Sequence, residues 1–368
     1  MSAIQVLPDY GDRCLTNVLE AVTEPPRSTT APLLDLRHAI AGSSRVVMVI
    51  LDGLGDLQLE ARSSVAPTLA RGRLAPITSV APSTTAAALT SLSTGVAPGT
   101  HGIVGYRFAL DDDILQALRW SVGDRDAQAK WHPERVQRSN PQLRQRGVAV
   151  PYVAKSQFAT SGFTKAHLRG AEFVGVDGVD GLVGASIEAL TRSSIVLCYH
   201  DAIDKVAHAS GLGADYDAEI ERAERLVVEL RAAASDDVAI VVTSDHGQLD
   251  VGSRAIALPA SALALVERMS GEGRFRWLHA FPGRRDEMER LVRESVESTC
   301  WVMTRRQVAA SGLLGDIDDD VVDRLGDLAL IPHVLAYVPD PAEPKEASMR
   351  SRHGSLTPDE MYVPLIVC

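Results

Sequence analysis

Cysteine is scarce in this chain. Cys14, Cys198, Cys300 and Cys368 are spread over 368 residues with no CxxC spacing, which leaves no basis for a disulfide framework or a thiolate zinc site and points to a reducing, cytoplasmic setting. Positive charge is also short, with 37 Lys plus Arg against 48 Asp plus Glu and a net charge of −11. That balance opposes long nucleic acids and anionic membranes as partners, because both are held by basic surfaces. It does not oppose a small anionic substrate, since bound cations reverse the potential inside a site. Long apolar runs are missing: stretches such as Val46–Leu51 fall far below the roughly 20 residues that span a bilayer. The first ten residues lack the basic region and apolar stretch of a signal peptide. Neither GxxxxGK(S/T) nor a complete GxGxxG occurs, so the phosphate loops of common nucleotide-binding modules have no support. Internal repeats and low-complexity tracts are absent as well.

What is present is ordinary globular composition, 45% hydrophobic and 23% charged. The length suits one large domain with insertions or two domains of roughly 100–150 residues each. Pro25-Pro26 and the Ser/Thr stretch after it mark a loop before the first strong strand, Arg45–Leu51, whose two apolar faces suit a central strand covered on both sides. Ser194–Tyr199, Val238–Thr243 and Tyr362–Val367 read as further strands. Ala81-Pro82-Ser83-Thr84-Thr85 leads into a helix over Ala86–Leu92, and Asp215–Ala233 carries apolar residues at helical spacing. Strands alternating with helices indicate an α/β sheet. Two stretches interrupt it, Ala109–Arg192 and roughly Val251–Glu346. The second reads as β-α-β through RFRWLHAF, DEMERLVRESVE and CWVMT. Gly175–Gly184 reads as a loop before a helix.

Acidic and imidazole residues gather at the strand ends. Asp52 follows the first strand, Asp204 and His208 the Ser194–Tyr199 strand, Asp245-His246 the Val238–Thr243 strand, and His353 precedes the last. Open α/β sheets place their sites beyond the carboxyl ends of the strands. Asp204 and His208, spaced i, i+4, share one helical face. Taken alone, each motif also reads as a solvated face or a core histidine; together they read as ligands. Mixed Asp/His ligation without cysteine suits zinc, with manganese as competitor. Six protein ligands exceed one four-coordinate site, so two divalent ions about 4 Å apart use them better. Thr85 at a helix N-terminus is either a nucleophile, favoured there by free amides and the dipole, or an N-cap, with Thr84 and Ser83 as rival caps. His101 reads as structural. His200-Asp201 stands beside the ligand set, and His132, His167, His279 and His333 read as surface or core residues.

The series VILDGLG, PSTTAAALTSLSTGVAPGTHGIVGY, HDAIDKVAHASG, TSDHGQLD and RHGSL, over residues 45–107, 194–250 and 350–367, resembles the type I phosphodiesterase/nucleotide pyrophosphatase branch of the alkaline phosphatase superfamily. The resemblance implies an alkaline-phosphatase-like α/β core, with a central, mostly parallel sheet flanked by helices and a smaller inserted cap. Residues 1–44 would form an N-terminal extension packed on that core. Residues 45–250 and 347–368 would form the core itself, with 109–192 partly insertion, and 251–346 an α+β cap. It also implies that Asp52, Thr85, Asp245 and His246 hold one ion and that Asp204, His208 and His353 hold the other. Thr85 would attack phosphorus and form a phosphothreonine intermediate on a small phosphorylated substrate such as a nucleotide. The chain departs from the family at Tyr106, where the nucleotide pyrophosphatases carry an asparagine that donates to phosphate. The same core also serves phosphomonoesterases, phosphonate hydrolases and phosphomutases. A reading of another class is a non-catalytic, metal-stabilised binding protein.

Overall fold

The computed structural model describes residues 4–23, 33–145 and 149–368; the loop expected at Pro25-Pro26 lies outside them. Its central sheet has six strands: β1 (Arg45–Leu51), β2 (Pro151–Lys155), β3 (Glu172–Val176), β4 (Ile195–His200), β5 (Val238–Thr243) and β6 (Leu365–Val367). Their spatial order is β6-β5-β1-β4-β2-β3. All neighbours run parallel except β6, which is antiparallel to β5.

The period-2 alternation of a strand sends its side chains to two separate cores. Met48 and Ile50 of β1, with Leu197 and Tyr199 of β4, join one core; Val47, Val49 and Leu51, with Val196 and Cys198, join the other. The first core also holds α1 (Thr85–Thr94) and the N-terminal residues Leu15, Val18, Leu19 and Leu36. The second is covered by α2 (Gly178–Ala189) and α4 (Ala214–Ala233), the latter through Ile220, Ala223, Val227 and Leu230. No helix among the described residues is long and apolar enough to cross a membrane.

Three sequence expectations for the core are corrected. The Ala109–Arg192 stretch is not all interruption, because it supplies β2, β3 and α2 to the main sheet and side. Within it, Gly175 lies in β3, and the glycines from Gly178 to Gly184 lie in α2. At Gly175 a Cβ would sit 3.1 Å from Ser156 Cα, so this glycine permits close approach instead of marking a loop. The last strand splits at Pro364. Tyr362–Val363 pairs with Ile77–Thr78, and β6 pairs with β5, since proline has no N–H for a ladder.

Residues expected as a β-α-β unit form a four-stranded antiparallel sheet, ordered Val266–Glu272, Phe275–Ala280, Leu328–Pro332, Cys300–Thr304. Two of these strands escaped the sequence reading. The helix Arg285–Val296 lays Met288, Val292 and Val296, spaced four apart, on Leu278 and Leu330. A buried ion pair fastens the tip of its first hairpin to the main body. Arg274, fully buried, donates from Nε and Nη2 to Glu360 at 2.8 and 2.6 Å. Glu360 also accepts from Ser355 N at 3.0 Å and Thr357 Oγ1 at 2.5 Å, which ties down the loop carrying His353. Removing one partner of such a pair strands a charge. Arg274→Ala is therefore expected to lower unfolding free energy by about 3–5 kcal/mol in urea titrations; a change near zero would show that the pair does not hold this junction.

Candidate functional site

Parallel register brings the strand ends to one edge. Leu51 pairs with His200 and Ile50 with Thr243, so Asp52, the start of α3 (Ala202–Ser210) and Ser244-Asp245-His246 leave the sheet side by side. The chain turns sharply at Gly53, with φ of 76°. A Cβ there would lie 3.0 Å from Asp204 Cβ and collide with Gln248, so only glycine lets these segments meet. Two trios result, Asp52/Asp245/His246 and Asp204/His208/His353, each with its ligand-type atoms all within 4.8 Å of one another.

Each carboxylate of the first trio has one oxygen tied and one free. Asp52 Oδ2 accepts from the Tyr199 hydroxyl, while Oδ1 is buried with no hydrogen-bond partner among the described residues. Asp245 Oδ1 accepts from Gly53 N and His246 N, both at 3.0 Å, while Oδ2 is buried and unpartnered. Asp204 Oδ1 accepts from Gln248 Nε2 at 3.0 Å. Desolvation, then the charges of Asp245 and Asp204, push the Asp52 carboxyl well above the usual aspartate range. Desolvation raises Asp204 also.

The three imidazoles are held alike. Nδ1 of His208, His353 and His246 lies 2.7, 2.9 and 3.1 Å from the carbonyls of Ser351, Ser83 and Gly247. A carbonyl only accepts, so each Nδ1 carries the proton and each Nε2 presents a lone pair. Those lone pairs face carboxylates: His208 Nε2 is 3.2 Å and His353 Nε2 3.7 Å from Asp204 Oδ1, and His246 Nε2 is 3.4 Å from Asp245 Oδ2. Burial and the neighbouring His246 and His208 hold His353 well below the usual histidine range. Lone pairs aimed at carboxylate oxygens repel unless a cation lies between them, so the donor set fits divalent metal ions.

Thr85 is the first residue of α1, and its Oγ1 lies 3.0 Å from His246 Nε2. Thr84 occupies the N-cap position, but its side chain makes no capping bond. Two cavities adjoin Thr85. One of about 310 Å³ includes Tyr106, Gln116, Arg119, Glu272 and Lys345 in its wall; the other, of about 460 Å³, includes Arg119, Tyr152, Gln157, Phe158, Tyr199 and Lys205. Burial pushes the Tyr106 phenol up to about 12, so it remains a donor. Glu272, raised to about 8 by burial, leaves Oε1 without a partner.

The remaining histidines lie outside both trios. His101 is buried against Ser91 Oγ and Ile103 N, its pKa lowered to about 3 by burial. His200 binds Glu219 at 3.0 Å, Asp201 pairs with Lys155, and His279 meets Ser270 Oγ. His333 lies against Trp301, and His132 is exposed. Sequence reasoning missed Tyr199, Gln248 and Glu272. The first two stand within or beside motifs already singled out, whereas Glu272 arrives from the cap with no local signal.

The fold is alkaline-phosphatase-like, a mostly parallel sheet flanked by helices. The sequence profile of type I phosphodiesterases / nucleotide pyrophosphatases matches residues 46–356, and the chain belongs to that family, whose members hydrolyse phosphoric ester bonds. Comparison with curated proteins finds no match. Among solved structures, murine ectonucleotide pyrophosphatase / phosphodiesterase 5 is similar at 16% identity and TM-score 0.67, over 87% of each chain. An inactive form of that murine protein in complex with AMP aligns at 15% identity and TM-score 0.65, over 88% of this chain and 87% of that one. Phosphonoacetate hydrolase from Sinorhizobium meliloti 1021, in complex with phosphonoformate, aligns at 20% identity and TM-score 0.63, over 88% of this chain and 90% of that one.

The crowded carboxylates make a prediction for chelated protein. Because Asp52 in the fold holds its proton above the ordinary 3.8, the unfolded chain ionises first as pH rises. The native state then binds more protons, and stability falls with pH over that window. Thermal melts in chelator should show this fall for wild type and a shallower slope for Asp52→Asn; equal slopes would contradict the electrostatic reading.

Proposed function

We propose that this protein cleaves phosphoric diesters by attack of Thr85 Oγ on phosphorus, with two divalent cations at the two trios. The carrying observation is Thr85 at the first turn of α1, its hydroxyl 3.0 Å from His246 and both trios adjoining it. Asp52, Thr85, Asp245 and His246 would hold one ion, and Asp204, His208 and His353 the other. The imidazole–carboxylate donor set suits zinc, with manganese next. When bound, the ions supply Lewis-acid charge that lowers the threonine hydroxyl's pKa and offsets charge on the leaving oxygen.

Thr85 Oγ gives up its proton to solvent and forms a bond to phosphorus while the bond to the leaving alcohol oxygen breaks in line, and that oxygen leaves with a proton from solvent. Water then attacks the phosphothreonine, breaking the Oγ–P bond and restoring the hydroxyl. The first-turn amides of α1, uncapped by Thr84, are available to the phosphoryl oxygens. Tyr106 donates through its phenol where the family's asparagine would. The AMP complex of the murine relative supports a nucleotide as substrate. Four free thiols support a reducing, cytoplasmic setting. A second reading, hydrolysis of a phosphonate or another doubly anionic substrate, is favoured by Arg119 and Lys345, which line the smaller of the two cavities at Thr85.

Zinc-loaded protein is expected to turn over bis-p-nitrophenyl phosphate faster than p-nitrophenyl phosphate or phosphonoacetate. Preference for either of the latter would move the assignment to a monoesterase or a phosphonate hydrolase. Thr85→Ala should lose at least about a thousandfold in turnover while retaining its metal by elemental analysis; wild-type rates in the metal-loaded variant would sink the nucleophile assignment. His353→Ala should lose mainly the second ion, and full metal content would overturn the ligand partition.

A further inference from the structure

Gln248 is fully buried, yet only one end of its side-chain amide is used. Nε2 donates to Asp204 Oδ1 at 3.0 Å, while Oε1 is buried with no hydrogen-bond partner among the described residues. The partner sets this orientation: a carboxylate oxygen accepts, so the amide turns its N–H end to Asp204. An apolar side chain of similar size would fill the same space and leave no orphaned oxygen. What the amide adds over such a side chain is the bond to Asp204.

That bond crosses from one trio to the other. Gln248 stands two residues after His246, in the loop that carries the first trio, and reaches a carboxylate of the second. Its backbone is pinned on both sides. The Gln248 carbonyl accepts from Gln58 Nε2 at 2.6 Å, and the next two residues, Leu249–Asp250, pair with Ser351–Arg352 just before His353. The side chain therefore starts from a fixed point, and Gly53, with no Cβ to collide with it, leaves it room.

Within the second trio, His208 and His353 are each oriented by a carbonyl, that of Ser351 and that of Ser83. Asp204 needs its own orientation, because an aspartate carboxylate rotates over a broad range about χ2. The oxygen that Gln248 holds is the one 3.2 Å from His208 Nε2 and 3.7 Å from His353 Nε2. An ionised carboxylate oxygen has more than one lone-pair site, so Oδ1 can accept from Gln248 and still face a cation. Ligands held in place before an ion arrives bind it more tightly than ligands that must be ordered by it.

We propose that Gln248 is a positioning residue for the second ion: by holding Asp204 Oδ1 toward His208 and His353, it raises the affinity of that trio for a divalent cation. This rests on two ions occupying the two trios, as in the proposed function. The loop of the first trio thereby sets the strength of the second.

The test is titration of zinc alone into the metal-free chain, in competition with a chromophoric chelator. Wild type should show two classes of site, and the second is the class that His353→Ala removes. Gln248→Met should weaken that class about tenfold to a hundredfold and the other less than about twofold. Equal weakening of both classes would mark a general role in the loop, and no change in either would show the bond to be idle; both results overturn the proposal. Should Gln248→Met fail to fold, the side-chain ¹⁵N resonance of Gln248 in wild type decides. It should shift as the class removed by His353→Ala fills, and a resonance that follows the other class or stays put overturns the assignment. A wild type that binds no zinc removes the two-ion reading and this proposal together, whereas two classes that Gln248→Met leaves intact remove this proposal alone.

Discussion

Asp52 and Asp245 share a buried corner at the carboxyl edge of the sheet, each with one oxygen held and one left over. Two buried carboxylates with free oxygens, facing the lone pairs of imidazoles, are unfavourable in a medium that screens charge poorly. The fold tolerates the arrangement because every other contact of these groups is satisfied. Tyr199 and the amides of Gly53 and His246 fix the carboxylates, and carbonyls fix Nδ1 of all three histidines. What the free oxygens and imidazole lone pairs call for is positive charge. This makes the trios suited to cations of high charge density and poorly suited to a purely structural role, for which hydrophobic residues of similar volume would be at least as stable.

Geometry at that corner depends on groups far apart in sequence. β1, β4 and β5 place three of the segments by register alone. The fourth, carrying His353, is not a strand end of the parallel sheet and needs separate anchoring. It receives this from Glu360, which bonds to Ser355 N and Thr357 and is itself held by Arg274 from the cap hairpin. The cap is thus fastened to the loop of one candidate ligand, and it also contributes Glu272 to the cavity wall. Cap and chemistry are linked through side chains, not merely by proximity.

This division explains what was legible in the sequence. Asp52, Asp204, His208, Asp245 and His246 follow apolar runs directly, so strand ends and helical spacing were enough to bring them together. β2 and β3 were hidden because Pro151–Lys155 and Glu172–Val176 are short and interrupted by charge or glycine. The sheet edge they occupy is specified by pairing with β4, a nonlocal term that no window of sequence contains. Two of the cap's strands were missed for the same reason. Thr85 could not be told from a cap until the missing capping bond of Thr84 and the contact to His246 were seen. Glu272 carries no motif at all; what marks it is an unpartnered buried atom, which exists only once the surroundings are built.

The site is asymmetric about Thr85, and the asymmetry bears on substrate more than the trios do. The trios and the first turn of α1 are suited to any tetrahedral phosphoryl group, which is why one such core serves several kinds of ester. Discrimination must come from what surrounds phosphorus. Tyr106, Glu272 and Lys345 stand on one side, the rings of Tyr152, Phe158, Phe163 and Tyr199 with Gln157 and Lys205 on the other, and Arg119 borders both. Thr85, Asp204 and His208 border both cavities as well, so a group joined to phosphorus meets charge on either side, and the two sides differ in their rings more than in their charge.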